Sequence, residues 1–253
     1  MNTDTFHKGR SARAGAVLAR LALLIGLLCA AAALLAGPGY RTTLLSLGAG
    51  LLTIRWAATF ALVGAVLAVL AVALLWRAAS RRDLAIAAAA LVINLLVAAP
   101  PLYLFGQLQH LPHIHDVSTN TDNPPTFVAV VAARTGARNP IDYKAETAAA
   151  QKKGYPNIAP LRLDAAPAQT FERVERAARA MGWEIVAVAP QDLRIEATDT
   201  SLLFGFKDDV VIRIAPSAQG SIVDVRSLSR VGGSDFGVNA KRIRAFMMKL
   251  AAT

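Results

Sequence analysis

Three apolar runs, each long enough to cross a bilayer, fill the chain before residue 106 and govern what the rest can be. Residues 15–36 are apolar apart from Arg20, and Gly37-Pro38-Gly39 closes the run. Residues 56–76 carry no charge, and residues 84–105 are interrupted by Asn94 and, near the end, by Pro100-Pro101. At 1.5 Å per residue, a helix of about 20 residues matches a hydrocarbon core of ~30 Å. One such run can be a buried core helix; three in succession predict a membrane region with three spans. A mean hydropathy of +0.42 and 55% hydrophobic residues exclude a disordered polar chain, a disulfide scaffold and an ordinary all-soluble domain.

The first run follows a basic segment (Lys8, Arg10, Arg13), as a signal peptide would. It exceeds the roughly 7–15 apolar residues of a cleaved signal, which predicts a retained span. Tyr40, Trp56, Trp76 and Tyr103 stand at run ends, where amphipathic rings prefer the headgroup layer. Arg20 can snorkel to the nearer interface. Asn94 is expected to make an interhelical hydrogen bond rather than a site. No carboxylate lies inside a span, which argues against proton-coupled transport. Residues 44–54, moderately apolar and broken by glycine, are expected to be an interfacial segment.

The N-terminal tail and the 77–83 loop (Arg77, Arg81, Arg82) are denser in Lys and Arg than the first loop (Arg41, Arg55), and no basic residue follows the third run until Arg134. The positive-inside rule then predicts a multi-pass membrane protein with a cytoplasmic N-terminus and its C-terminal half on the other side of the bilayer. Of 27 basic residues nine precede residue 110, as do two of 17 acidic ones, so the front carries +7 and the back +3. The high pI is thus a topology signal, and no nucleic-acid partner is expected. Cys29, the only cysteine, is mid-span, so the exported half has no disulfide and no thiol nucleophile.

Residues 1–109 therefore read as the transmembrane region and 110–253 as an α+β domain. Residues 110–155 form a weakly regular arm, with turn formers (Asn120, Asp122, Asn123, Pro124-Pro125), a short apolar run at 127–131 and a short helix before Gly154. Pro167 opens a helix whose Phe171, Val174, Ala178 and Met181 share a face, with Gly182 at its end. Four β-rich segments follow, 183–189, 193–198, 209–215 and 221–227, separated by turn residues. Asn239 is placed to cap a last helix with the stripe Ile243, Phe246, Met247 and Leu250. Short connections favour an antiparallel four-stranded sheet with helices on one face. Leu193, Ile195 and Ala197 alternate with Arg194, Glu196 and Thr198, and Asp224 shares a side with Arg226. The second face is expected to be solvated and laced with ion pairs, or else a polar binding floor for an anion.

Several strings carry a resemblance. They are His115-Asp116-Val117-Ser118-Thr119 with Asp122-Asn123-Pro124-Pro125; Tyr155-Pro156 with Pro160-Leu161; and Gly182-Trp183-Glu184-Ile185-Val186. Arg194-Ile195-Glu196-Ala197-Thr198 leads on to Phe204-Gly205-Phe206-Lys207-Asp208-Asp209-Val210. Asp224-Val225-Arg226-Ser227, Ser229-Arg230-Val231-Gly232, Asp235-Phe236-Gly237 and Asn239 complete the set. In this order they resemble the domain of unknown function 1499 family of bacterial envelope proteins, over residues 113–251. The family often carries a few N-terminal spans. The resemblance implies a fold and no activity; with the orientation above it also implies a multi-pass protein of the bacterial inner membrane whose C-terminal half is periplasmic.

Candidate chemistry is sparse. His110, His113 and His115 beside Asp116 are the residue types that bind divalent ions, but their spacing matches no known site, and neither a metal nor a cofactor is expected. Ser118, Ser229 and Ser234 lack a nucleophile motif. The 229–239 loop sets Arg230, Asp235 and Asn239 among glycines ahead of a helix N-terminus, with Arg242 alongside. It suits either an anion or a tight passage in which Asp235 pairs with Arg230. Asp208-Asp209 is expected to be a solvated turn. The sequence thus points to a non-enzymatic module binding a ligand, lipid headgroup or envelope protein through His115, Asp116, Asp122, Arg230, Asp235, Asn239 and Arg242. The alternatives are a hydrolase or metal-dependent enzyme using His115, Asp116, Asp122 and Asp235, and a purely structural partner in a complex.

Overall fold

A computed structural model describes residues 3–76 and 81–252, with side chains from Arg10 onward at the front. The chain divides into two compact units, Met1–Gly106 and Gln107–Thr253.

The first unit holds three helices, α1 (Thr3–Arg41), α2 (Leu47–Leu75) and α3 (Arg81–Leu108), each long and apolar enough to cross a membrane. Several boundaries differ from the sequence expectation. Pro38 lies inside α1 instead of closing the run, and α3 continues through Pro100-Pro101 to Leu108. In an apolar bundle neighbouring groups re-satisfy the carbonyls a proline leaves open. The 44–54 stretch is mostly the start of α2: the Ser46 hydroxyl accepts from the Ala49 amide at 3.1 Å and nucleates the helix there. Arg77, part of the orientation argument, lies outside the described residues.

The three helices meet along small residues. Ala19, Ala71, Leu75 and Ala87 form one layer; Ala22, Ala68 and Ala90 the next; Cys29, Ala57, Ala61 and Ala98 another. Spacings of three and four along each helix put these residues on one stripe, and small side chains let backbones approach. Asn94 sits between the layers, fully buried, opposite Gly26 and Gly64. Its Nδ2 donates to the Ala22 carbonyl of α1 at 2.9 Å and to Ala90 at 2.8 Å, so the expected interhelical bond exists. Arg20 ion-pairs with Asp83 at 3.1 Å while its side chain stays mostly exposed.

In the second unit the elements run β1 (Asp116–Ser118), a 3₁₀ turn (Ala129–Arg134), α4 (Ala145–Gly154), β2 (Leu161–Leu163), α5 (Pro167–Ala180), β3 (Glu184–Ala189), β4 (Arg194–Thr200), β5 (Lys207–Ser217), β6 (Gly220–Ser229) and α6 (Val238–Ala251). The sheet has six strands, not four. Its order is β1-β6-β5-β4-β3, all antiparallel, and β2 pairs with the other half of β6. The two added strands have three residues each and cover the β6 edge in tandem. The Gln151 side chain closes β1 on its outer side: its Oε1 accepts from the Ser118 amide and its Nε2 donates to the Ser118 carbonyl. At the opposite edge a bulge between Ile185 and Ala187 interrupts the β3 register.

One face of the sheet buries Ile195, Val210, Ile212, Val223 and Val225 against Phe171 and Val174 of α5 and Ile243, Phe246 and Leu250 of α6. The other face is charged, as alternation implies, but it is neither solvated nor an open floor. The arm lies over it. Phe127, Val130 and Ile141 pack on Val211 and Leu228, and Glu196, Asp209, Asp224 and Arg226 are all buried. Asp208 and Asp209, read as a solvated turn, are buried strand residues, each ion-paired to arginine. A buried carboxylate needs a partner or it neutralises, and the arm and helices supply those partners.

Candidate functional site

The sheet sets two opposite ends for this unit. One carries the β5–β6 hairpin at 218–219 and the β3–β4 turn. The other gathers the chain where it enters β1, the β4–β5 hairpin at 201–206, the 230–237 loop and the start of α6. At this second end the Ser229 amide donates to the His115 carbonyl, the Asp235 amide to Ile114, and the Arg230 amide to Lys207.

α6 points two polar side chains at the strands. Asn239 Oδ1 accepts from the Ser227 hydroxyl at 2.6 Å, and its Nδ2 donates to the His115 carbonyl and the Ser229 hydroxyl, each at 3.0 Å. It is therefore inside the helix, not its cap. Gly237, left-handed at φ 78°, precedes the helix, and the Asp235 carboxylate accepts from the Gly237 and Asn239 amides at 3.0 and 2.7 Å. Burial raises the Asp235 pKa, and these amide bonds only partly offset it. Arg242 reaches Asp199, Asp208, Ser227 and Asn239. His115 Nδ1 lies 3.5 Å from the Gly233 carbonyl.

The other candidates lie elsewhere. Arg230 reaches across the arm side, where its Nε and Nη2 grip Asp209 at 2.9 and 2.8 Å and its Nη1 donates to Ala133. It does not pair with Asp235, whose oxygens are taken by amides. Asp116 is clamped by Arg226 at 2.7 and 3.0 Å, and burial still raises its pKa. Asp122 is exposed and meets Lys152 at 2.8 Å. The structure thus gathers His115, Asp235, Asn239 and Arg242, and separates Asp116, Asp122 and Arg230 from them. Ser118 donates to the Asn120 carbonyl, away from the gathered group. Among the described residues no group of three or more His, Cys, Asp or Glu is placed to hold a metal ion.

Three features were not singled out from sequence. Glu196, fully buried, accepts from the Val128, Ala129 and Val130 amides at 3.0–3.1 Å and from Arg194 at 2.9 Å, tying the 3₁₀ turn to the sheet. Arg226 lies 5.1 Å from the Phe127 ring centre and 5.2 Å from that of Tyr143, beside a cleft of about 290 Å³. Tyr155, 4% exposed, places its hydroxyl under Gly237 with no hydrogen-bond partner among the described residues. Burial, then the nearby Asp235, pushes this phenol up to about 12, and Arg244 over the ring opposes them. Tyr155-Pro156 stood among the familiar strings, but nothing local marks the hydroxyl as an orphan.

A family model described as a protein of unknown function, DUF1499, matches residues 116–250, from the first residue of β1 into the last turn of α6. No curated protein matches the chain.

Proposed function

The chain belongs to the DUF1499 family, and we propose that it is an inner-membrane protein whose C-terminal unit is a periplasmic, non-enzymatic binding domain. The ligand carries a hydrogen-bonding headgroup, free or on a lipid, and docks at the end where His115, Asp235, Asn239 and the 230–237 loop meet. The observation that carries this reading is the Tyr155 hydroxyl. A buried polar group without a partner costs about 1–3 kcal/mol, and a ligand reaching under Gly237 would repay it.

What weighs against a hydrolase is the use already made of its groups. Acid–base catalysis needs a side chain free to exchange a proton with substrate. Asp116 is held by Arg226 and Asp235 by two amides, while His115 Nδ1 faces the Gly233 carbonyl at 3.5 Å and not a carboxylate, so the acids such a site would use are already engaged. The density of Lys and Arg in the tail and the 77–83 loop supports the periplasmic address.

Native mass spectrometry of the full-length protein, extracted in lipid nanodiscs, tests the binding role. A non-protein mass should accompany the wild type, and Tyr155→Phe should lower its retention at least tenfold without lowering the melting temperature. Equal retention by Tyr155→Phe, or no such mass on the wild type, refutes it. A phosphatase fused after Thr253 should be active and a fluorescent protein there dark; the reverse pattern overturns the address.

A further inference from the structure

The end that receives the chain also presents apolar side chains to solvent. Leu202 is 93% exposed and Leu203 39% on the β4–β5 hairpin. Phe236 and Val238, at the start of α6, are 43% and 46% exposed. These two groups share one surface, because Arg242, one turn along α6 from Val238, bonds Asp199 and Asp208 at the base of that hairpin. Phe236 is also, among the described residues, one of three non-glycine residues with positive φ, at 56°. A left-handed backbone is strained for an aromatic residue, and here it holds the ring outward between Gly232 and Gly237, both also left-handed. Such apolar groups on a soluble surface mark contact with something apolar.

The charge around them selects the occupant. Lys207 adjoins the hairpin, Lys241 lies in the first turn of α6, and the Arg138 amide bonds the Arg230 carbonyl; all three side chains are exposed. The nearby carboxylates Asp208, Asp209 and Asp235 are buried, and Asp199 is held by Arg242. Leucine and phenylalanine ringed by basic side chains is the composition of a surface that enters the headgroup layer of an anionic membrane.

We propose that the 201–206 hairpin tip, with Phe236 and Val238, dips into the interfacial layer of the bilayer that the three helices cross. This rests on those helices being spans and not on any ligand at Tyr155, so the two proposals fail separately.

The test uses the full-length protein with Cys29→Ala, reconstituted in vesicles of phosphatidylethanolamine and phosphatidylglycerol. An NBD fluorophore is attached at Leu202→Cys, or at Ala218→Cys on the far hairpin as a control. Both positions lie on hairpin tips, and circular dichroism verifies each labelled fold. The label at 202 should emit at shorter wavelength and be quenched several-fold more by lipids spin-labelled near the headgroup than the label at 218. Equal quenching of both by aqueous iodide, with none by spin-labelled lipid, overturns the proposal. A blue-shifted label at 202 that spin-labelled lipid does not quench also overturns it, and assigns the patch to a protein contact.

Discussion

Glu196 should decide whether the arm stays on the sheet. Its two oxygens receive three consecutive backbone amides, from Val128, Ala129 and Val130, and Arg194 Nε adds a fourth bond. Glu196→Gln keeps the shape but turns one oxygen into an NH₂ group. Either orientation of that amide faces at least two N–H donors. A hydrogen bond to a charged group contributes about 1.5–3 kcal/mol, so two lost bonds predict a local loss of at least about 3 kcal/mol. That is a large share of a typical domain stability of about 5–15 kcal/mol. Opening can remain local to 128–130, because the far end of the 3₁₀ turn is held separately, by Arg134 on Asp209 at 2.6 Å and by Arg230 on the Ala133 carbonyl at 2.7 Å. Native-state hydrogen exchange on the full-length protein should show the 128–130 amides exchanging about a hundredfold faster in Glu196→Gln, while β5 amides change little. Exchange at 128–130 within about threefold of wild type would refute the claim that this carboxylate holds the arm.

Four further outcomes follow from the packing and the charges. A Cβ on Gly64 would overlap the Asn94 carboxamide, so Gly64→Ala should destabilise the bundle by about 1–3 kcal/mol in mixed-micelle unfolding, and Asn94→Ala should recover much of that loss in the double variant. Burial opposes ionisation of Asp209, yet hydrogen bonds from Arg230, Thr198 and Arg134 outweigh it and hold the pKa below the ordinary value. The stability advantage of wild type over Asp209→Asn should therefore be fully present above about pH 3.9 and shrink as pH falls through the depressed value, read from urea midpoints. Asp235, raised mainly by burial, should show the opposite slope: wild type loses ground to Asp235→Asn as pH rises from about 3.9 through the elevated value. Gly220 has φ 133°, and a Cβ there would meet the Leu163 carbonyl and lie 2.8 Å from the Ala165 amide nitrogen, so Gly220→Ala should lower stability by more than about 1 kcal/mol in thermal unfolding.

The three spans, α5, the four longer strands and α6 were legible because each repeats its apolar residues at the period its geometry requires. β1 and β2 were not. Three residues cannot display an alternation, and both become strands only through β6, more than 50 residues away for each. The cover over the charged face was hidden for a related reason. Glu196 is held by main-chain amides 66–68 residues distant, and an amide leaves no mark on side-chain sequence. Asn239 looked like a cap because it precedes an apolar stripe, but the left-handed Gly237 moves the helix start earlier and gives the capping role to Asp235. The gathering of His115, Asp235, Asn239 and Arg242 was legible as composition, whereas their mutual engagement required the fold.

Proteins confined to a membrane plane collide far more often than the same molecules in solution, and an open row of strand N–H and C=O groups invites them to polymerise. β3 is the outermost strand on its side of the sheet, and its misstep at Val186 breaks the even spacing that an incoming strand would need. Glu184, exposed at the start of the same strand, adds a charge that a second copy would have to bury. Crowding in the membrane can then raise encounters between copies without turning them into fibres.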